Sequence, residues 1–160
     1  MSFLRYLMLL SLIVWLGGLI FLSFVLAPTA FAVIPVRHMA GTVVGRSLGI
    51  LHWMGIISGV VFLSASLAYS RLTSGTARPF AARNVLLVLM LALTLVSQFG
   101  IMPRMMALRN SMVLIDAVPL NDPARVEFDA LHVWSERVEG GVLLLALVVS
   151  YLTAQQLAAR

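Results

Sequence analysis

The sequence predicts an all-α integral membrane protein: four transmembrane helices in a bundle, with a short extramembrane helical connector between spans 3 and 4. Three observations predict it. Of 160 residues, 61% are hydrophobic and 11% charged, at a mean hydropathy of +1.03, whereas a soluble domain carries about 25% charged residues. Four apolar runs each reach the roughly 20 residues that a span requires. Arginines and prolines, rather than long polar segments, separate them.

The first run extends from Phe3 to Ala27, where Pro28 and Pro35 are expected to end it. Arg5 followed by an apolar stretch imitates a secretion signal, but such h-regions are about 7–15 residues long. Tyr6 to Ala27 is unbroken, so the segment is expected to stay as a helix. The second span is expected from Ser47 to Ser70, between Arg46 and Arg71. A turn through Gly75 and Pro79 leads to the third, Ala82 to Met102, closed by Pro103. The fourth is expected from Trp134 to Ala158. Residues 104–131 form the connector, read as two short helices divided at Pro119–Pro123, with Asn121 or Asp122 as N-cap and Pro123 at the first helical position. The whole chain, 1–160, reads as one transmembrane domain, with residues 29–45 lying in the interface.

Composition removes several functions. There is no cysteine, which excludes disulfides, thiolate metal ligands and a cysteine nucleophile. All eleven basic residues are arginine, scattered between apolar runs, so the high pI near 11.1 signals membrane flanks rather than nucleic acid. No Ser-His-Asp arrangement, phosphate loop or metalloprotease helix is present, and no catalytic residue is assigned. With four spans both termini share a side with Arg5, Arg71, Arg78, Arg83 and Arg160, against Arg37, Arg46, Arg104, Arg109 and Arg125 opposite. The counts tie, but three arginines crowd the short 71–83 turn, which points to cytoplasmic termini.

Ionisable groups inside a span are costly and mark sites. The start of span 2, the end of span 3 and the start of span 4 share the leaflet away from the termini. There lie His52, then Gln98 with Arg104 beyond it, then His132, Ser135, Glu136 and Glu139 at helical spacings i, i+3, i+4 and i+7, with Asp129 extending the stripe. One reading is a ligand site: His52 and His132 as nitrogen donors with Glu139 or Glu136 as carboxylate, suited to Cu or Zn, or the two histidines as axial ligands of haem b in a redox protein. The other is an internal polar network, in which Arg104 or Arg137 neutralises the glutamates and Gln98 satisfies a histidine. His38, beside Arg37, reads as a solvated interfacial residue. Trp53 and Trp134 read as aromatic belt, and Met102, Met105 and Met106 as filling.

Glycines give a packing signal. Gly45-x-x-x-Gly49 and Gly55-x-x-x-Gly59 flank His52, and Gly17-Gly18 lie in span 1. Such spacing lets backbones approach, either within the bundle or in a homo-oligomer. The partners expected are thus the lipid bilayer and a second copy or another membrane protein.

Pro103-Arg104-Met-Met-Ala-Leu, the stretch with Asp122-Pro123 and Phe128-x-x-Leu131-His132-x-x-Ser135, Leu51-His52-x-x-Gly55, and Pro28 to Phe31 together resemble the transmembrane protein 205-like family. Its members are small four-span proteins with a domain of unknown function, the animal one associated with resistance to platinum drugs. The resemblance matches His52, Pro103, Arg104, His132 and Ser135, and implies metal or solute handling; Glu136 and Glu139 are not among the matched positions. A structural or accessory role through helix packing is the alternative.

Overall fold

The computed structural model describes residues 1–112 and 114–158, with side chains described through residue 156; Arg160, one of the termini-side arginines, lies outside them. Four helices are long and apolar enough to cross a membrane: span 1 (Ser2–Val33), span 2 (Arg37–Ser74), span 3 (Ala82–Ser111) and span 4 (Pro123–Gln156). Among the described residues there is no strand. Each helix outlasts its apolar core, because backbone hydrogen bonding costs least when a helix emerges into the interface intact.

Pro28 and Pro103 do not end their helices, although span 1 does stop at Val33, just before Pro35. In span 1 a π-helical turn, Leu22–Leu26, is closed by the Ala27 N–H bonding to the Leu22 carbonyl, and Pro28 follows at once. In span 3 the π-turn is Ser97–Ile101, the Met102 N–H bonds to the Ser97 carbonyl, and Pro103 follows. A wider turn just before a proline relieves the clash of its ring with the preceding turn and absorbs the missing N–H. The helix then continues past the proline. Span 2 ends at Gly75, whose φ of 72° is the left-handed cap that glycine supplies without penalty. Span 4 begins at Asp122, whose carboxylate accepts from the Ala124 N–H at 2.9 Å, with Pro123 at the first helical position.

Spans 1 and 3 each pack against both span 2 and span 4, so the helices form a ring of neighbours. Trp15, Phe62, Tyr69, Leu87, Met90 and Val149 fill the centre. Trp15 is the wedge between spans 1 and 2. A Cβ at Gly55 would stand 2.4 Å from its Nε1, and one at Gly59 would stand 3.0 Å from its Cζ3 and 2.6 Å from Leu91. Gly18 meets Leu51 and Gly49 meets Met102 in the same way, whereas Gly17 and Gly45 face open space. Gly18, Gly49, Gly55 and Gly59 therefore lie against side chains of neighbouring helices. Outside it, Ile13, Ile50, Ile57, Val88 and Leu144 leave most of their surface uncovered, a lipid-facing coat.

Candidate functional site: a histidine–glutamate pair at the wall of a chamber

His52 sits in the first half of span 2 between glycines and is 2% exposed. Its Nδ1 lies 2.8 Å from Gln98 Oε1 of span 3, and its Nε2 lies 2.7 Å from Glu139 Oε1 of span 4. The Ser97 hydroxyl donates to that same glutamate oxygen at 3.0 Å. Ser97 and Gln98 are consecutive residues of the span 3 π-turn, one facing span 4 and the other span 2. The π-turn that admits Pro103 thus also supplies two of the four polar side chains. Spans 2 and 4 stand diagonally across the ring, and the His52–Glu139 bond joins them.

The Gln98 oxygen only accepts, so in this arrangement His52 donates to it through Nδ1, and Nε2 faces the Glu139 carboxyl. A lone ion here would be expensive, and the paired state avoids that cost.

Glu139 keeps 12% side-chain exposure, and it faces a chamber rather than the outer surface. The chamber holds about 620 Å³, within the usual range for small-molecule sites. Leu22, Phe24 and Phe31 of span 1, Leu48 of span 2 and Met102 and Met106 of span 3 give it apolar walls. Arg46, Arg109, His132, Ser135, Glu136 and Glu139 give it polar ones. A shallower recess of about 340 Å³ lies at the seam of spans 2 and 3 and reaches Gln98. The chain Gln98–His52–Glu139 therefore runs from one hollow to the other.

The remaining predicted residues disperse. His132 is half exposed, pairs with Glu136 at 3.3 Å and stacks on Phe128 with ring centroids 6.3 Å apart. It lines the chamber but takes no part in the His52 cluster. Arg104 pairs with Glu127 and Asp129 with Arg125, both near the surface, and Arg137 lies over the Trp134 ring. None of these reaches Glu139. Ser135 is buried on the chamber wall. Among the described residues no three of His, Cys, Asp and Glu converge as metal ligands. Both ring nitrogens of His52 are already engaged, so the expected Cu, Zn or haem site through His52 and His132 gains no support from the geometry. Trp53 and Trp134 are exposed, Trp53 meeting Phe99 edge-on at 5.9 Å.

A second buried network went unread in the sequence. Near the termini-side end, Arg83 donates to the Ser66 hydroxyl at 2.9 Å, Ser66 donates to Asn84 Oδ1 at 2.7 Å, and Asn84 donates to the Arg78 carbonyl at 3.1 Å. Arg5 donates to the Tyr69 hydroxyl at 3.0 and 2.8 Å and covers its ring. Arg83 is 3% exposed, an internal cation instead of the interfacial anchor its position suggested. The adjacent Arg83-Asn84 pair inside an apolar run was the available signal.

These features define a multi-pass membrane protein with an ionisable pair held inside the bundle. The chain belongs to the family described as a domain of unknown function, DUF4149, whose model matches residues 10–113. That segment contains His52, Ser97 and Gln98, and stops before Glu139. Comparison with curated proteins and with solved structures gave no match.

Proposed function

We propose that this protein binds, or carries across the membrane, a small solute that occupies the chamber beside His52 and Glu139. The observation that supports it is the coincidence of a hydrogen-bonded histidine–glutamate pair inside the bundle with a hollow of ligand size. A pair whose only task was to tie helices would be satisfied equally well without a cavity against one of its members. The resemblance to the transmembrane protein 205-like family points the same way, toward solute handling. The density of arginines around the 71–83 turn supports cytoplasmic termini.

A thermal-shift screen of amphipathic solutes on the full chain in non-ionic detergent tests this reading. Some solutes are expected to raise Tm saturably in the wild type and not in Glu139→Gln, with Ser66→Ala responding as wild type. A Glu139→Gln protein with unchanged ligand responses would overturn it. The second reading, a structural or accessory subunit, has one observation in its favour: every polar atom of His52 finds a partner within the bundle. It predicts a stable oligomer or a co-purifying membrane protein.

A further inference from the structure

Charge around the chamber is unevenly matched, and the mismatch indicates what the chamber takes. Its two carboxylates both have histidine partners, Glu139 with His52 at 2.7 Å and Glu136 with His132 at 3.3 Å. Its two arginines, Arg46 and Arg109, have no carboxylate partner among the described residues. Arg109 reaches the Thr42 hydroxyl at 3.4 Å and lies over the Phe128 ring at 5.1 Å. Arg46 makes no hydrogen bond or ion pair among the described residues, and it borders both hollows.

Arg109 is also placed by construction. It enters from the end of span 3 against the backbone of Gly41, where an added Cβ would lie 2.8 Å from Nη1 and 2.9 Å from Nη2. Glycine at 41 is what lets the guanidinium lie against span 2 at the chamber wall. Thr42 and the face of Phe128 hold it there, and neither neutralises it. A planar cation with donors to spare, beside a second free cation, is the ordinary recognition element for a carboxylate or phosphate. The walls behind it are leucine, phenylalanine and methionine, which suit a flexible apolar chain.

We infer that the chamber binds a single-chain amphiphile with one anionic head, a carboxylate or a phosphate monoester. Arg46 and Arg109 receive the head, and the apolar wall between spans 1 and 3 receives the chain. The inference rests on the chamber being a solute site, and it adds the ligand's chemistry.

The test is calorimetric titration of the full chain in non-ionic detergent with four probes of equal chain length. These are palmitate, palmitoyl lysophosphatidate, monopalmitoyl glycerol and hexadecyltrimethylammonium; acetate and inorganic phosphate serve as tailless controls. One or both anionic amphiphiles are expected to bind saturably, while the neutral, cationic and tailless probes bind at least roughly tenfold more weakly, the loss of about one charge-assisted hydrogen bond. Arg109→Gln and Arg46→Gln should each weaken the anionic probe by a similar factor, with Arg109→Lys intermediate. Arg46 is exposed and unpaired, so its replacement leaves the fold intact and the result readable. Gly41→Ala should weaken binding by displacing the Arg109 head group. Equal binding of the neutral probe, or preference for the cationic one, would overturn the anionic assignment and leave the chamber reading standing. Absence of binding by every amphiphile would overturn both.

Discussion

The two ends of the bundle are both polar inside, and they are built differently. At the termini-side end, Arg83, Ser66, Asn84 and the Arg78 carbonyl form a chain of donors and acceptors that holds spans 2 and 3 together, and Arg5 ties span 1 to Tyr69. Toward the opposite end, His52, Gln98, Ser97 and Glu139 join spans 2, 3 and 4 through hydrogen bonds, and the glutamate borders a chamber. The first cluster is a hydrogen-bonded chain running from Arg83 through Ser66 and Asn84 to the Arg78 carbonyl. The second has a titratable member facing open volume. Both clusters have buried members, and Glu139 of the second borders the chamber.

Removing one member of the ionisable pair should have the largest effect. His52→Leu leaves the Glu139 carboxylate inside the bundle with only Ser97 as donor, and breaking a buried pair costs about 3–5 kcal/mol. The double variant His52→Leu/Glu139→Leu should recover much of that loss, because no unpaired ionisable group remains. Thermal unfolding in detergent measures both. A single variant as stable as the double would show that the pair carries no buried charge.

The next effect separates packing from polarity. Gly55→Ala drives a methyl group into the Trp15 indole, and overpacking of this kind costs about 1–3 kcal/mol. Tryptophan fluorescence should shift together with Tm, since Trp15 is 2% exposed and must move. Gly45→Ala, which faces open space, should leave Tm unchanged. If Gly45→Ala instead dissociates an oligomer, the unused glycine face is an interface between copies.

Ser66→Ala probes the first cluster. It removes an acceptor of Arg83 and the hydroxyl donor to Asn84 Oδ1, at a cost of about 1–2 kcal/mol. Ligand responses should be unaffected. A Ser66→Ala protein of normal stability that lost ligand binding would erase the division between the two ends.

The bundle was legible because lipid imposes a length and a composition on anything that crosses it. The depth shared by His52, Gln98 and Glu139 was legible too, since helical rise converts residue number into depth. Partner choice was not. Gln98 finds His52 and Arg104 finds Glu127 because of how each helix is rotated, and rotation here depends on the π-turns at Leu22–Leu26 and Ser97–Ile101. An extra residue per turn rotates all that follows, and neither Pro28 nor Pro103 announces whether it ends a helix or is absorbed by one. Ser97 was overlooked for the same reason: a serine in an apolar run looks ordinary until the neighbouring helix is placed. Span 4's stripe suggested a single site, yet of its members only Glu139 reaches the inner cluster, while His132 and Glu136 pair with each other.

The smallest expected effect marks the boundary of the site. Arg104 pairs with Glu127, but their side chains are 67% and 38% exposed. Solvent and headgroups screen such a pair, and its loss is worth under about 1 kcal/mol. Arg104→Ala should therefore leave both Tm and amphiphile binding close to wild type, although the arginine stands in sequence just beyond Gln98 and Pro103. A large loss of binding in Arg104→Ala would mean that the chamber's cationic set extends to the outer rim of span 3, and that the line between a working interior and a screened surface lies further out than Glu139 and Arg109 place it.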